Sequence, residues 1–422
     1  MAFQISPVVL VREIDLTTIV PAVGTTTGAL AGLFQWGPVE ERVLVDNSLT
    51  LEKRFGKPDN DTAIDWFSAY DFFSYANSLL VVRAAAATAR NAIAAYGQVV
   101  SVTIGNGGSG YHQATTTIAF TAAPVGGTTA TGTVTVTAGA ITAVTITNPG
   151  AGYLVAPTIT ITDSDLTPGT NGALTAVLGS PLLIKNETDY TNQYSAGQAN
   201  VGLWAGKYPG ELGNSLLVSM ADSASYGSWT YKANFDAAPT DDELHIIVID
   251  EDGTISGTAN TVLEKFAFVN KAADSKAEDG SSNYYANVVN RTSQWIWWMD
   301  HPTGSNWGGT VGTTFTTIAT PETYSLGGGL TANDAAVAGD YENAIDLFNN
   351  GDDVDISLVI GSSPNVTGVA TVYQHIIDNI LDTRKDCIGF FSPQLTDVVN
   401  NPGNELDDTI TFFGTTVNRS TS

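Results

Sequence analysis

The sequence predicts a multidomain chain of α/β and α+β character carrying an inserted all-β domain. Three observations predict it. Helix-period segments alternate with continuous apolar strands in residues 28–90 and again after residue 326, the pattern of a parallel sheet covered by helices. Residues 99–179 contain no Lys or Arg and repeat with a period of 42 residues, from Ser101 to Ala143. The chain has 422 residues, too many for one ordinary core, so two to four domains are expected.

Taken in order, the chain begins with a strand-like arm. After Ser6-Pro7, the residues Val8, Val9, Leu10 and Val11 lead into alternation, with Leu10, Ile14 and Leu16 on one face and Glu13 and Asp15 on the other. No hairpin turn returns the chain. A strand without a partner leaves N–H and C=O groups to be paired elsewhere, for example by a neighbouring subunit. The small-residue stretch after Pro21, through Val23, Gly24 and Gly28, reads as a hinge.

Gly28–Phe34 reads as a buried strand, Glu41–Val45 as a second, and Asn47 or Ser48 as the cap of a helix ending at Phe55-Gly56. Over residues 62–77, Trp66, Phe67, Tyr70 and Phe73 recur at three- and four-residue spacing, which predicts one buried helical face. Leu79–Arg83 follows as a strand.

In the repeat, Ser101–Tyr111 matches Ala143–Tyr153, and each Gly-x-Gly-Tyr turn leads to a Thr-rich strand, Thr115–Phe120 and Thr158–Thr162. Period-2 strands joined by glycine turns imply a small β unit of two similar halves. Beyond it, residues 201–206 and 215–220 are strand candidates, and 245–250 with 254–256 a hairpin around Asp252-Gly253. Val262–Ser275 reads as a helix and residues 294–299 as a buried strand. A helix capped by Asn333 or Asp334 runs to Phe348. Strand 354–360, helix 368–384, strand 387–391 and helical stretch 404–417 complete the alternation.

Chemical motifs are sparse. Gly105–Gly110 fits the dinucleotide pattern G-x-G-x-x-G, but a strand rather than a helix follows, so a hairpin turn is the better reading. Asp250–Gly253 and Asp241–Glu243 lack the spaced ligands of a calcium loop. His112, His245, His301 and His375 are scattered without zinc spacing, and Asp300-His301 has no nucleophile elbow to serve. Cys387, in an apolar run, reads as a small buried hydrophobe. No catalytic residue, cofactor or metal ligand set is assigned.

The formal net charge of −26 argues against a phosphate-gripping nucleic-acid binder, since that chemistry requires a basic face and no basic cluster is longer than Lys53-Arg54 or Arg384-Lys385. No signal peptide and no membrane-spanning run are read.

Several segments together resemble the contractile tail sheath protein of myovirus-type bacteriophages. They are Ile5–Glu13, Gly28–Pro38, Phe55-Gly56 with the aromatic helix, Leu80–Ala84, Lys207–Asn214, Leu326–Leu330, Asp382–Cys387 and Phe390–Pro393. The resemblance implies a nested-insertion sheath architecture: an arm at 1–21, an α/β domain of 22–90 plus 323–422, an α+β middle domain of 91–98 plus 180–322, and residues 99–179 as the outermost insert. It further implies a virion structural protein, not an enzyme, that polymerises helically around the tail tube and contracts to drive the tube through the host envelope.

The implied partners are neighbouring sheath subunits, the tail tube protein, the baseplate and the tail terminator, without nucleic acid and without membrane insertion. Assembly would take place in the host bacterial cytoplasm. Residues Ile5, Val8, Val9, Leu10, Val11, Ile14 and Leu16 match the arm that adds a strand to an adjacent subunit's C-terminal domain. Family members usually continue well past a helix like 404–417, so this chain is expected to be an N-terminal portion whose C-terminal domain is missing. Alternatives are a sheath subunit of a bacteriocin or secretion apparatus, or a surface module binding host glycans.

Overall fold

The computed structural model describes residues 26–362, 366–399 and 401–419. In chain order, the first elements are β1 (Gly28–Leu33), β2 (Arg42–Val45), α1 (Ser48–Phe55), α2 (Ala63–Phe72) and β3 (Leu79–Ala84). Six strands follow: β4 (Val99–Ser109), β5 (Thr116–Phe120), β6 (Thr131–Thr137), β7 (Ala140–Asn148), β8 (Ile159–Asp163) and β9 (Thr170–Leu178). Next come α3 (Glu187–Gln193), β10 (Trp204–Gly206), β11 (Leu216–Asp222), β12 (Glu243–Asp250), β13 (Thr261–Asn270), α4 (Tyr285–Thr292), β14 (Ile296–Trp298) and β15 (Glu322–Ser325). The last are α5 (Ala338–Ile345), β16 (Leu358–Gly361), α6 (Val369–His375), α7 (Asp382–Arg384), β17 (Ile388–Phe391), α8 (Leu395–Val398) and α9 (Glu405–Thr411).

Strands from both ends of the chain form one sheet in the order β17-β16-β1-β3-β2. All pairs are parallel except β2–β3 at the edge. The central strand β1 is buried along its whole length, as its continuous apolar sequence requires. Its residues alternate between two cores. Leu30 meets Leu51 and Phe55 of α1 and Trp66 and Phe72 of α2, while Ala29, Ala31 and Leu33 meet Tyr341 and Ile345 of α5 and Val372 of α6. Asn47 caps α1 as expected, its side chain accepting the Thr50 N–H at 2.9 Å.

Two expectations for this layer need correction. On α2 the buried face is Asp65, Trp66, Ala69 and Phe72, whereas Phe67 and Tyr70 are 50% and 44% exposed. Each of the buried positions Trp66, Ala69 and Phe72 is followed directly by an aromatic residue, so spacing alone could not select the inner face. The helix over residues 338–345 is not capped by Asn333 or Asp334; Asp340 instead accepts the Val337 N–H at 2.9 Å, and residues 333–335 form a separate turn.

A second sheet, β13-β12-β11-β15, is antiparallel, and its central strands β11 and β12 are buried on both faces. Here Val262–Ser275, read as a helix, is mostly strand β13. The inward residues Phe266 and Val269 have helical spacing because a bulge sets three steps of β13 against two of β12, Ile246 opposing Phe266 and Leu244 opposing Val269. Phe268, with φ 54°, takes up the extra residue. The return strand of the β12 hairpin is β13, not Thr254–Ser256. Those residues belong to a loop held by the Asp250 carboxylate, which accepts bonds from the backbone N–H groups of Gly253, Ile255 and Ser256 and from the Ser215 and Ser256 hydroxyls.

Residues 99–179 are all β, and their pairing differs from a hairpin per half. The ladders are β4–β9, β5–β8 and β6–β7, all antiparallel. Counted by the repeat, strands β4 to β6 pair only with strands β7 to β9, in reverse order. The two halves are interlocked about a pseudo-twofold, and two equivalent small cores result. Tyr153 lies against Val99, Phe120 and Ala176; its counterpart Tyr111 lies against Ile141, Ile161 and Val134. The Ala130 N–H donates to the Tyr153 hydroxyl at 2.9 Å and the Gly172 N–H to the Tyr111 hydroxyl at 3.2 Å. Gly105, Gly107 and Gly108 lie within β4 itself, so the G-x-G-x-x-G run is neither a phosphate loop nor a hairpin turn.

Candidate functional site

Three of the segments that carried the resemblance, Gly28–Pro38, Leu80–Ala84 and Lys207–Asn214, are far apart in sequence but meet around one buried arginine. Arg83, the fifth of the six residues of β3, is fully buried. Its Nη1 donates to Gly37 O at 3.0 Å and to Pro209 O at 2.8 Å, so one guanidinium ties Gly28–Pro38 and Lys207–Asn214 to Leu80–Ala84. Burial pushes its pKa down to about 9, with Glu211 opposing the shift. Its Nε and Nη2 find no partner among the described residues.

The Leu326–Leu330 segment closes the joint. Asn214 Nδ2 donates to Gly329 O at 3.0 Å and its Oδ1 accepts the Gly329 N–H at 2.7 Å. Arg90 and Leu330 exchange two backbone bonds, and Gly210 N–H donates to Arg90 O at 3.1 Å. Gly210 has φ +148°, and a Cβ there would overlap Gln35 O. Asn91, buried, accepts the Ile184 N–H at 2.7 Å and donates to Gly206 O at 2.9 Å. Residues 83–93 are thus a seam to which segments 35–39, 182–186, 204–214 and 327–331 are all hydrogen-bonded.

Two buried charges flank the seam. Lys207 is 7% exposed; its Nζ donates to Asn290 O at 2.9 Å and sits 3.2 Å from the centroid of the Trp297 ring. Burial pushes its pKa down to about 7, against the pull of Glu187, Glu264 and Glu41. Asp65 is buried where α2 crosses the end of β1. It accepts the Leu33 N–H and the Tyr341 hydroxyl, each at 2.7 Å, and the Ser362 hydroxyl. Burial raises its pKa and these donors oppose the rise.

The sequence-assigned residues fall elsewhere. The arm residues Ile5, Val8, Val9, Leu10, Val11, Ile14 and Leu16, and the hinge residues Val23 and Gly24, lie outside the described residues. Gly28, read as part of the hinge, is instead the first residue of β1, laddered to Leu79 on one side and Leu358 on the other. A Cβ there would stand 2.7 Å from the Phe72 ring, so the glycine serves close helix–sheet packing.

His301 does not sit in a triad: its Nδ1 bonds the Tyr285 hydroxyl at 2.6 Å and its Nε2 the Tyr284 hydroxyl at 3.3 Å. Asp250 is surrounded by hydrogen-bond donors, which suits a loop anchor rather than a cation ligand. Among the described residues no group of three or more His, Cys, Asp or Glu could hold a metal, and no helix is long and apolar enough to cross a membrane. Cys387 is half-buried.

Residues 25–84 match the family model described as the N-terminal region of domain III of tail sheath protein Gp18. The tail sheath protein of Enterobacteria phage T4 is 26% identical over 459 residues, covering 97% of this chain and 65% of that protein. That of Salmonella phage ViI is 23% identical, covering 97% and 63%, and that of Vibrio phage KVP40 is 26% identical, covering 94% and 63%. The chain is thus similar to phage tail sheath proteins, as its motifs suggested, and spans 63–65% of the length of these three. Among solved structures, a sheath tail protein from Listeria innocua aligns at TM-score 0.35 and 10% identity over 86% of this chain and 47% of that one. One from Desulfitobacterium hafniense aligns at 0.31 and 10%, over 92% and 56%.

Proposed function

We propose that this chain is the structural subunit of a phage contractile tail sheath, which polymerises around the tail tube and contracts to drive the tube through the host envelope. The observation that carries this reading is the similarity to phage tail sheath proteins along nearly the whole chain. Its partners in this reading are neighbouring subunits, the tube protein, the baseplate and the tail terminator. Its place is the virion tail, after assembly in the host cytoplasm.

The nested arrangement belongs to the same proposal. The α/β domain is 22–90 plus 323–422, the middle domain is 91–98 plus 180–322, and residues 99–179 form the outermost insert. The sharing of one sheet by β1, β3, β16 and β17 supports it. The seam around Arg83 is then the place where the inner and middle domains are locked as one rigid body during contraction.

Subunits in a contracting lattice must rotate without separating. Strand addition by the arm suits this, because each main-chain hydrogen bond contributes roughly 1 kcal/mol and survives rigid-body rotation about Val23 and Gly24. Negative-stain micrographs of the expressed full-length protein test the proposal. Tubes are expected, and they are expected to vanish on deletion of residues 1–20 while the subunits stay folded. A full-length protein that yields only monomers overturns the reading.

A further inference from the structure

The chain has 17 Lys and Arg against 43 Asp and Glu, yet Lys53, Arg54, Lys57 and Arg291 border one groove. The groove consists of two adjoining clefts, of about 330 and 200 Å³, that share Trp36, Lys53 and Trp295. Its floor is the pair of indoles, with centroids 5.8 Å apart. Lys53, Arg54 and Arg291 make no ion pair among the described residues, and Lys57 reaches Glu52 only at 3.8 Å. The acids in the walls are Glu52 and Glu187. An apolar floor with a mainly cationic border calls for an occupant that is apolar in its middle and acidic at its sides.

The same chain displays such a surface. Leu406 and Ile410 of α9 are 73% and 59% exposed, and their i, i+4 spacing places them on one helical face. Glu405 and Asp407, both exposed, flank Leu406, and Leu395 of the adjoining α8 is 73% exposed. Groove and ridge cannot meet within one molecule. Helix α1, which carries Lys53, packs on the Leu30 face of the five-stranded sheet. The residue following α9, Phe412, is buried with α6 on the Ala29 face.

We propose that the groove of one subunit receives the α9 ridge of a second copy of this chain. The contact joins two different patches facing opposite ways, so it is heterologous. Repeated head to tail it builds a ring or an open filament rather than a twofold dimer. It rests on the sheath reading and adds to it a specific lateral or axial contact independent of the N-terminal arm.

Charge reversal in the full chain tests this. One variant carries Lys53→Glu and Arg54→Glu; the other carries Glu405→Lys and Asp407→Lys. All four side chains are exposed, so the groove variant should melt like the wild type. The ridge variant loses the Gly403 N–H bond to Glu405 and two acids of the first turn of α9, and should melt slightly lower while staying folded. In sedimentation velocity at low salt the wild type is expected to self-associate. Each variant alone should associate at least about tenfold more weakly, and the equimolar mixture, in which reversed groove meets reversed ridge, should recover. Association should weaken at high salt. A monomeric wild type, a groove variant that associates normally, or a mixture that fails to recover overturns the contact. Tubes formed by full-length protein carrying the groove reversal would also overturn it while leaving the sheath reading intact; absence of tubes from the unaltered protein would overturn the sheath reading itself.

Discussion

The five-stranded sheet gathers strands from both ends of the chain and is tied at its margin by buried polar groups, whereas the strands of 99–179 ladder only with one another. In the first region a single side chain, Arg83, links segments that the sequence holds far apart. In the second, duplication does the work, and equivalent tyrosines close two equivalent cores. The difference teaches that long-range connectivity here is specified by a few buried donors, while the repeat specifies its own fold by self-complementarity.

The largest expected effect tests the interlocking. Neither half of the repeat contains a ladder of its own, so peptides 99–138 and 139–179 should each be unfolded, and their mixture should give a β-type circular dichroism spectrum. A half that folds alone would break the comparison. Next, Arg83→Ala strips two carbonyls, Gly37 O and Pro209 O, of a charged donor. A loss of roughly 3–5 kcal/mol is expected in urea unfolding followed by tryptophan fluorescence, with the 99–179 unit unaffected. Arg83→Lys should recover part of the loss, because both bonds come from the single nitrogen Nη1 and an ammonium carries three donors.

A smaller effect concerns pH. Burial holds the Lys207 pKa near 7, below its ordinary 10.5, so between these values the folded state binds fewer protons than the unfolded one. Stability should therefore rise with pH through that window, and the penalty is full below pH 7. Lys207→Met should flatten the slope and stabilise the protein at pH 6 by on the order of 2–4 kcal/mol, measured as urea midpoints across pH. The smallest effect compares the two tyrosines. Tyr153 both accepts from the Ala130 N–H and donates to Thr121 O, at 3.1 Å, whereas Tyr111 makes the Gly172 bond. Tyr153→Phe should cost about 1 kcal/mol more than Tyr111→Phe in thermal melts of the β unit.

Much of this fold was legible in the sequence. The apolar runs of β1 and β3, the Asn47 cap and the helix–strand alternation after residue 366 declare themselves through local chemistry. The β13 bulge did not, because it mimics helical spacing at Phe266 and Val269. The interlocked pairing of 99–179 was also hidden, since period-2 strands show that ladders exist but not which strands share them. The seam was visible only as separate motifs. The atoms Arg83 grips are backbone carbonyls, and a carbonyl leaves no trace in residue identity; the strict glycine at position 210 was the available hint.

One rung of the β unit has a consequence for how such molecules diversify. Val99 opens its ladder opposite Leu178, and just outside it Tyr96 bridges Gly179, so the chain leaves and rejoins the body at a single spot. Everything between can be exchanged as a cassette, for a different payload or a short loop, without rerouting the seam. A lineage can thus vary the 99–179 unit while the seam that joins the other sheets stays as it was.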